Sequence, residues 1–225
     1  MDFLEYENAL KGEKFFDFFQ ILTEHNKMYN LTTVIEQKDV FIKHFLDSVV
    51  GEKWFFKGAN VIEIGSGGGF PSIPLKILRD DLKFTLVEST QKKCNHLVQT
   101  VDKLGLKDVK VLNIRAEDGG KDKALREKFD CACARAVARL NTLCEYCLPF
   151  VKKGGRFIAY KGECKEELEE AKKAIFVLGG EVEKFEEFCL PDGAGKRSLV
   201  VIKKVKNTPV LYPRGNGKER KRPIV

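Results

Sequence analysis

Seven residues, Glu63-Ile64-Gly65-Ser66-Gly67-Gly68-Gly69, constrain this chain more than any other stretch. They close a short apolar run, Ala59–Ile64, that reads as a β-strand. Glycines at 65, 67 and 69 let the backbone turn sharply and let a ligand come closer than any Cβ would allow. The next apolar run, Lys83–Glu88, ends on a carboxylate nineteen residues beyond Gly69. An acid so placed can accept hydrogen bonds from both hydroxyls of a ribose.

Around this pair of strands the pattern keeps alternating. Pro71–Leu78 reads as a helix with proline tolerated in its first turn, and Gln91–Leu104 as a helix closed by Gly105. Val109–Ile114, Phe129–Ala134 and Arg156–Tyr160 read as further strands, with helices at Leu140–Leu148 and Lys165–Leu178. Glu181–Phe188 and Arg197–Lys203 read as a hairpin around Pro191-Asp192-Gly193-Ala194-Gly195. Such alternation predicts an α/β fold, a mixed seven-stranded sheet with helices on both faces and ligands beyond the C-terminal strand ends. Ahead of it, the first 50 residues read as helical. Phe15, Phe16, Phe19, Leu22 and Tyr29 are expected to form one packed stripe, and Val40, Phe41, Phe45 and Val49 a second. The expected division is a helical extension over 1–57, a ligand-binding domain over 58–204 and a basic tail over 205–225.

A chain of 225 residues can bury a full core without disulfides or metals. Its start, Met1-Asp2-Phe3-Leu4-Glu5, is acidic and unlike a secretory signal, and no apolar run of about 18 residues suggests a membrane span. Seven cysteines scattered through core-like elements fit a reducing, cytoplasmic setting. Cys131, Cys133, Cys144 and Cys147 have spacings that can mimic a zinc site, but the first pair falls in a core strand and the second on a helix, so buried thiols are expected and no metal. The formal charge of +7 is concentrated at the end, where eight basic residues from Lys203 onward face one acid, Glu219. That tail can neutralise nucleic-acid phosphates, or simply be a solvated end.

The glycine spacing separates two cofactor classes. A dinucleotide fingerprint needs G-x-G-x-x-G, and its third glycine would fall on Phe70, whose bulk would crowd a pyrophosphate. The G-x-G-x-G pattern with an acid two residues ahead resembles the first motif of class I (Rossmann-like) methyltransferases, which use S-adenosylmethionine. In that class the turn after the third strand, here Arg115-Ala116-Glu117, contacts adenine. Arg135, after the fourth strand, stands at the rim where a methyl acceptor would lie, or serves as a structural ion-pair partner.

Certain residues are missing from that rim. Methylation of a pyrimidine carbon needs a cysteine nucleophile in a Pro-Cys turn, and no proline adjoins Cys131 or Cys133. Exocyclic amines are methylated by enzymes with Asn/Asp-Pro-Pro-aromatic, where this chain has Ala134-Arg135-Ala136-Val137. What remains is an acceptor with a free lone pair, such as guanine N7, which needs orientation and no general base.

Further motifs carry a closer resemblance. They are Asn26-Lys27-Met28-Tyr29-Asn30-Leu31-Thr32, His44-Phe45-Leu46-Asp47-Ser48, Gly65 through Pro71, Phe129-Asp130, Arg135-Ala136, Tyr160-Lys161-Gly162, Arg197 and Tyr212-Pro213-Arg214. With them the whole chain resembles the bacterial small-subunit (16S) ribosomal RNA guanine-N7 methyltransferases, the glucose-inhibited division protein B family. The resemblance implies S-adenosylmethionine held by Gly65, Gly67, Phe70, Ala116, Glu117 and Arg135, with Glu88 on the ribose. It implies 16S rRNA or the small ribosomal subunit as partner, the 530 loop as target, and a monomer in the cytoplasm. Arg135, Lys161 and Arg197 become candidates for orienting the base or gripping RNA; Asn30, His44 and Asp47 can be structural or functional. Ser72, Glu88, Thr90 and Lys93 stand where the family usually has glycine, aspartate, glycine and arginine. Two other readings remain open: a class I methyltransferase with a different acceptor, and a non-catalytic RNA-binding assembly factor.

Overall fold

The structure, a computed structural model, describes residues 3–225. Met1 and Asp2, the first of the acidic N-terminal run, lie outside the described residues. The helical lead comprises α1 (Phe3–Ala9), α2 (Glu13–Tyr29) and α3 (Gln37–Val40); α3 continues through a π-helical turn (Phe41–Leu46) into α4 (Asp47–Val49). Then follow β1 (Asn60–Ile64), α5 (Ser72–Leu78), β2 (Lys83–Glu88), α6 (Gln91–Lys103), β3 (Val109–Asn113), α7 (Ala116–Gly119), β4 (Phe129–Arg135) and α8 (Leu140–Cys147). The chain finishes with β5 (Val151–Lys161), α9 (Lys165–Val177), β6 (Gly180–Cys189), β7 (Lys196–Lys204) and a short α10 (Lys218–Lys221).

The seven strands lie in the order β3-β2-β1-β4-β5-β7-β6. The first five are parallel, and β7 runs antiparallel to both its neighbours. Period-two burial shows why the sheet needs two helical layers. Val61, Phe84, Leu86, Cys131, Cys133, Ile158 and Leu199 face one core; Ile62, Val87, Ala132, Ala134, Phe157, Val200 and Ile202 face the other. The helical lead, α5 and α6 cover the first face, and α8 and α9 the second. Each large aliphatic or aromatic side chain fully buried this way contributes about 1.5–3 kcal/mol. β5 begins five residues before the expected strand, because Val151 already pairs with Phe129 of β4.

One stripe turns out rotated. The buried face of α2 is Phe15, Phe18, Ile21, Leu22 and His25, whereas Phe16 is 38% exposed. Adjacent phenylalanines at 15–16 and 18–19 permit two registers, and the partners choose between them. Phe18 stacks on Phe45 at 5.2 Å and lies 5.5 Å from Phe70, while Phe16 and Phe19 are left to flank Phe41. The lead is tied to the sheet as well as packed on it, since the buried Tyr160 hydroxyl donates to Ser48 O at 3.0 Å.

Residues 205–225 fold back over the α8 face. Lys204 is fully buried and its ammonium donates to Leu148 O, Val151 O and Thr208 Oγ1. The Arg126 guanidinium gathers the carbonyls of Gly120, Thr208 and Tyr212. Arg214 grips the buried Glu145 carboxylate through Nε and Nη2 at 2.9 and 2.6 Å.

Candidate active site

All the chemistry-bearing residues meet at one edge of the sheet. The parallel strands deliver Ile64, Glu88, Asn113, Arg135 and Lys161 at their C-terminal ends, and antiparallel β7 brings Arg197 there from its beginning. Three adjoining hollows run along this edge.

The first is a cleft of about 360 Å³ lined by Gly65, Glu88, Ala116, Glu117, Tyr146 and Arg220, among others. This size lies within the range of small-molecule sites. Gly65 has φ +73°, and a Cβ there would sit 2.7 Å from Val137 Cγ2, so only glycine leaves the floor open. Glu88 is fastened by two backbone donors: Gly67 N reaches Oε2 at 3.1 Å and Thr90 N reaches Oε1 at 2.8 Å. One carboxylate therefore sets the loop conformation, and its remaining lone pairs can accept from a ligand. Glu63, the acid of the glycine motif, lies fully buried beneath the loop with Ser66 and Ser72 beside its carboxyl. Burial pushes its carboxyl up to about 8, against the pull of the Ser72 and Ser66 hydroxyls and of Arg135.

Behind the loop sits a pair that sequence reasoning missed. His25 Nδ1 and His96 Nδ1 are 2.8 Å apart, and His96 Nε2 faces Gly68 O at 3.4 Å. A carbonyl can only accept, so a neutral His96 donates through Nε2 and takes the His25 proton at Nδ1. Burial lowers both imidazoles, His96 to about 4. The only signal in the sequence was two histidines on otherwise apolar helix faces.

The second hollow, about 250 Å³, lies over Gly65–Gly68 and is shared by Thr32, His44, Phe70, Lys93 and Arg135. Asn26 shapes it: its Oδ1 accepts from Leu31 N and Thr32 N, and its amide donates to Thr32 O. Asn30 ends α2 with φ 51°, a left-handed cap. The Phe70 ring is 7% exposed, stacked on His44 at 4.6 Å and overlain by Arg135 at 4.8 Å.

The third hollow, about 270 Å³, is lined by Lys43, His44, Asp47, Arg135, Tyr160, Lys161 and Arg197. Asp47 accepts from Arg135 Nη1 at 2.9 Å and pairs with Arg197 Nε at 3.4 Å. Burial pushes its carboxyl up, and the two guanidiniums oppose that rise. Arg135 Nη2 lies 3.1 Å from His44 Nδ1. The same Nδ1 lies 3.1 Å from Lys43 O, so a donor and an acceptor compete for it, while Nε2 lies 2.7 Å from Thr32 Oγ1. Burial, then Arg135, lower His44 to about 4, so it is neutral near pH 7. Lys161 is anchored to Glu167 at 2.8 Å and to Ala138 O at 3.0 Å.

The structure thus brings Gly65, Glu88, Ala116 and Glu117 together in one hollow and Arg135, Lys161 and Arg197 in another, with Gly67, Phe70 and Arg135 between them. Cys131, Cys133, Cys144 and Cys147 are buried free thiols, and among the described residues only Cys189 is exposed. From the basic end, Gly217 and Arg220 form part of the cleft wall. No helix among the described residues is long and apolar enough to cross a membrane.

A parallel sheet with one reversed strand, and a glycine-floored cleft over its middle, makes this a class I methyltransferase fold. Solved structures share it at low identity: an O-methyltransferase from Bacillus cereus in complex with SAH (TM-score 0.59, 17% identity, 83% of this chain and 91% of that one) and TYW2 of M. jannaschii in complex with AdoMet (TM-score 0.58, 14% identity, 77% and 80%). Within that class the chain belongs to the rRNA small subunit methyltransferase G family, which it matches over residues 11–200. Relatives called ribosomal RNA small subunit methyltransferase G are 49% identical in Lactobacillus acidophilus (92% of this chain, 88% of the relative) and 45% identical in Acetivibrio thermocellus (94% and 88%).

Proposed function

We propose that this chain methylates N7 of a guanine in 16S rRNA, in the 530 loop, using S-adenosylmethionine. It does so as a cytoplasmic monomer, on the RNA or on the small ribosomal subunit. The observation that carries the reading is the continuity of the hollows, which share Gly65 on one side and His44, Arg135 and Ala136 on the other. A nucleoside in the first is therefore one loop away from an acceptor in the third.

S-adenosylmethionine supplies a methyl group made electrophilic by its sulfonium. The Gly65 and Gly67 backbone, Ala116 and Glu117 would hold it, with Glu88 on the ribose; Phe70 and Arg135 form the boundary toward the acceptor. On the acceptor side, His44 already spends both ring nitrogens on Thr32 and Arg135, and Asp47 is engaged by two arginines. Neither is poised as a general base. Burial pushes the Cys131 thiol up to about 11 and Cys133 well up, so neither is a ready nucleophile. This supports an acceptor that brings its own lone pair, as guanine N7 does, and a pocket that works by orientation. Arg135, Arg197 and Lys161 supply donors matched to an electron-rich base edge or a phosphate.

The test is to incubate purified protein and labelled S-adenosylmethionine with 16S rRNA and with small subunits, then map the product. Label at guanine N7 is expected. Label on a pyrimidine carbon or an exocyclic amine would overturn the assignment.

A further inference from the structure

We propose that the C-terminal segment completes the cofactor site, with Arg220 lying across the outer face of the adenine and retarding its escape. The proposal rests on the cofactor reading given above. The cleft is lined by Ala116 and Glu117 and also by Tyr146, Gly217 and Arg220. By the class I resemblance, the former pair marks the adenine end.

The segment is pinned at several points beside the residues that face the cleft. Pro213 packs over Gly120, where an added Cβ would meet its ring at 2.9 Å. Arg214 is locked on Glu145, itself 1% exposed. Thr142 Oγ1 donates to Glu219 O at 2.9 Å, and the fully buried Glu219 carboxylate accepts from Gly215 N. Arg220 follows directly; its side chain is exposed, its Nη2 reaches Val137 O at 3.3 Å, and its guanidinium also lies against the Tyr146 hydroxyl of the cleft wall. Val137 is the residue that abuts Gly65. So a rigidly held backbone presents a planar cation over the cleft and touches the loop on its far side. A guanidinium plane stacks favourably on a flat aromatic ring.

Calorimetry with S-adenosylmethionine and with 5′-methylthioadenosine, which lacks the amino-acid end, tests the assignment. Arg220→Ala should weaken both ligands alike, by about tenfold. Arg220→Lys should recover only part of the loss, and Lys218→Ala, which removes a neighbouring exposed charge, should leave both unchanged. Wild-type affinity in Arg220→Ala overturns the proposal. So does a loss confined to S-adenosylmethionine, which would place Arg220 at the amino-acid end. An equal loss in Lys218→Ala would reduce the effect to net charge and overturn it too. Failure of the unaltered protein to bind either ligand would instead bring down the cofactor reading, and this proposal with it. Melting temperatures of the variants, expected within a few degrees of the parent, exclude misfolding as the cause.

Discussion

The proposed nucleoside half and the proposed acceptor half of this site are built from different materials. The first is mostly backbone: a glycine turn, the Ala116–Glu117 bend and one carboxylate that braces the turn. The second is mostly side chains, a buried charge network drawn from the π-helical turn, α4, β4, β5 and β7. A backbone site is written locally, because glycine positions dictate conformation. A side-chain site exists only once distant elements meet. The halves should therefore fail differently.

The sharpest break should come from Gly65→Val. It combines a β-branched residue at φ +73° with a Cβ 2.7 Å from Val137, and should weaken cofactor binding on the order of 100-fold or more. RNA affinity should be retained. Calorimetry with the cofactor and filter binding with RNA would separate the two, and intact cofactor binding would dissolve the distinction. Next comes Asp47→Ala, which leaves two guanidiniums without their shared anion. Breaking such a buried pair costs about 3–5 kcal/mol of stability. Single-turnover methyl transfer should fall tens-fold, while cofactor affinity in the folded fraction stays within about twofold.

One half holds the buried His25–His96 pair and the other the half-buried His44, and here pH sharpens the comparison. His96 and His44 fall from 6.5 to about 4 on folding. Both favour the neutral form in the folded state. Their contribution is complete above pH 6.5 and drains away as pH falls toward 4, by at most about 3 kcal/mol each. His96→Phe should remove roughly half of this acid-side loss, read as melting temperature between pH 7 and pH 4. It should also flatten any acid-side decline in cofactor affinity, because His96 braces Gly68 of the loop. A variant as acid-sensitive as the parent would show that the pair carries no such load. The smallest effect is expected for Lys161→Ala, which frees Glu167 and the Ala138 carbonyl. About 1–2 kcal/mol of stability and a few-fold in methyl-transfer rate should be lost, with no change in cofactor affinity.

What could be read from the sequence follows the same divide. The strands and the Glu63–Gly69 turn were legible because apolar alternation and glycine spacing are local, and each expected strand lies within its observed counterpart to about a residue at most ends. The stripe on α2 was misread because paired phenylalanines leave its rotation ambiguous until Phe45 and Phe70 take their places. The His25–His96 contact joins residues 71 positions apart, and no local rule could reveal it. The basic end was read from charge alone. Charge says nothing of Arg214 meeting Glu145, or of Arg220 reaching the cleft.

The reversed direction of β7 has one more consequence. Since its first residues arrive where the other strands finish, Arg197 joins the acceptor hollow without lengthening any connecting loop. Because residues 199–202 of the same strand are buried in the core, a repacking of that strand would be felt directly at Arg197.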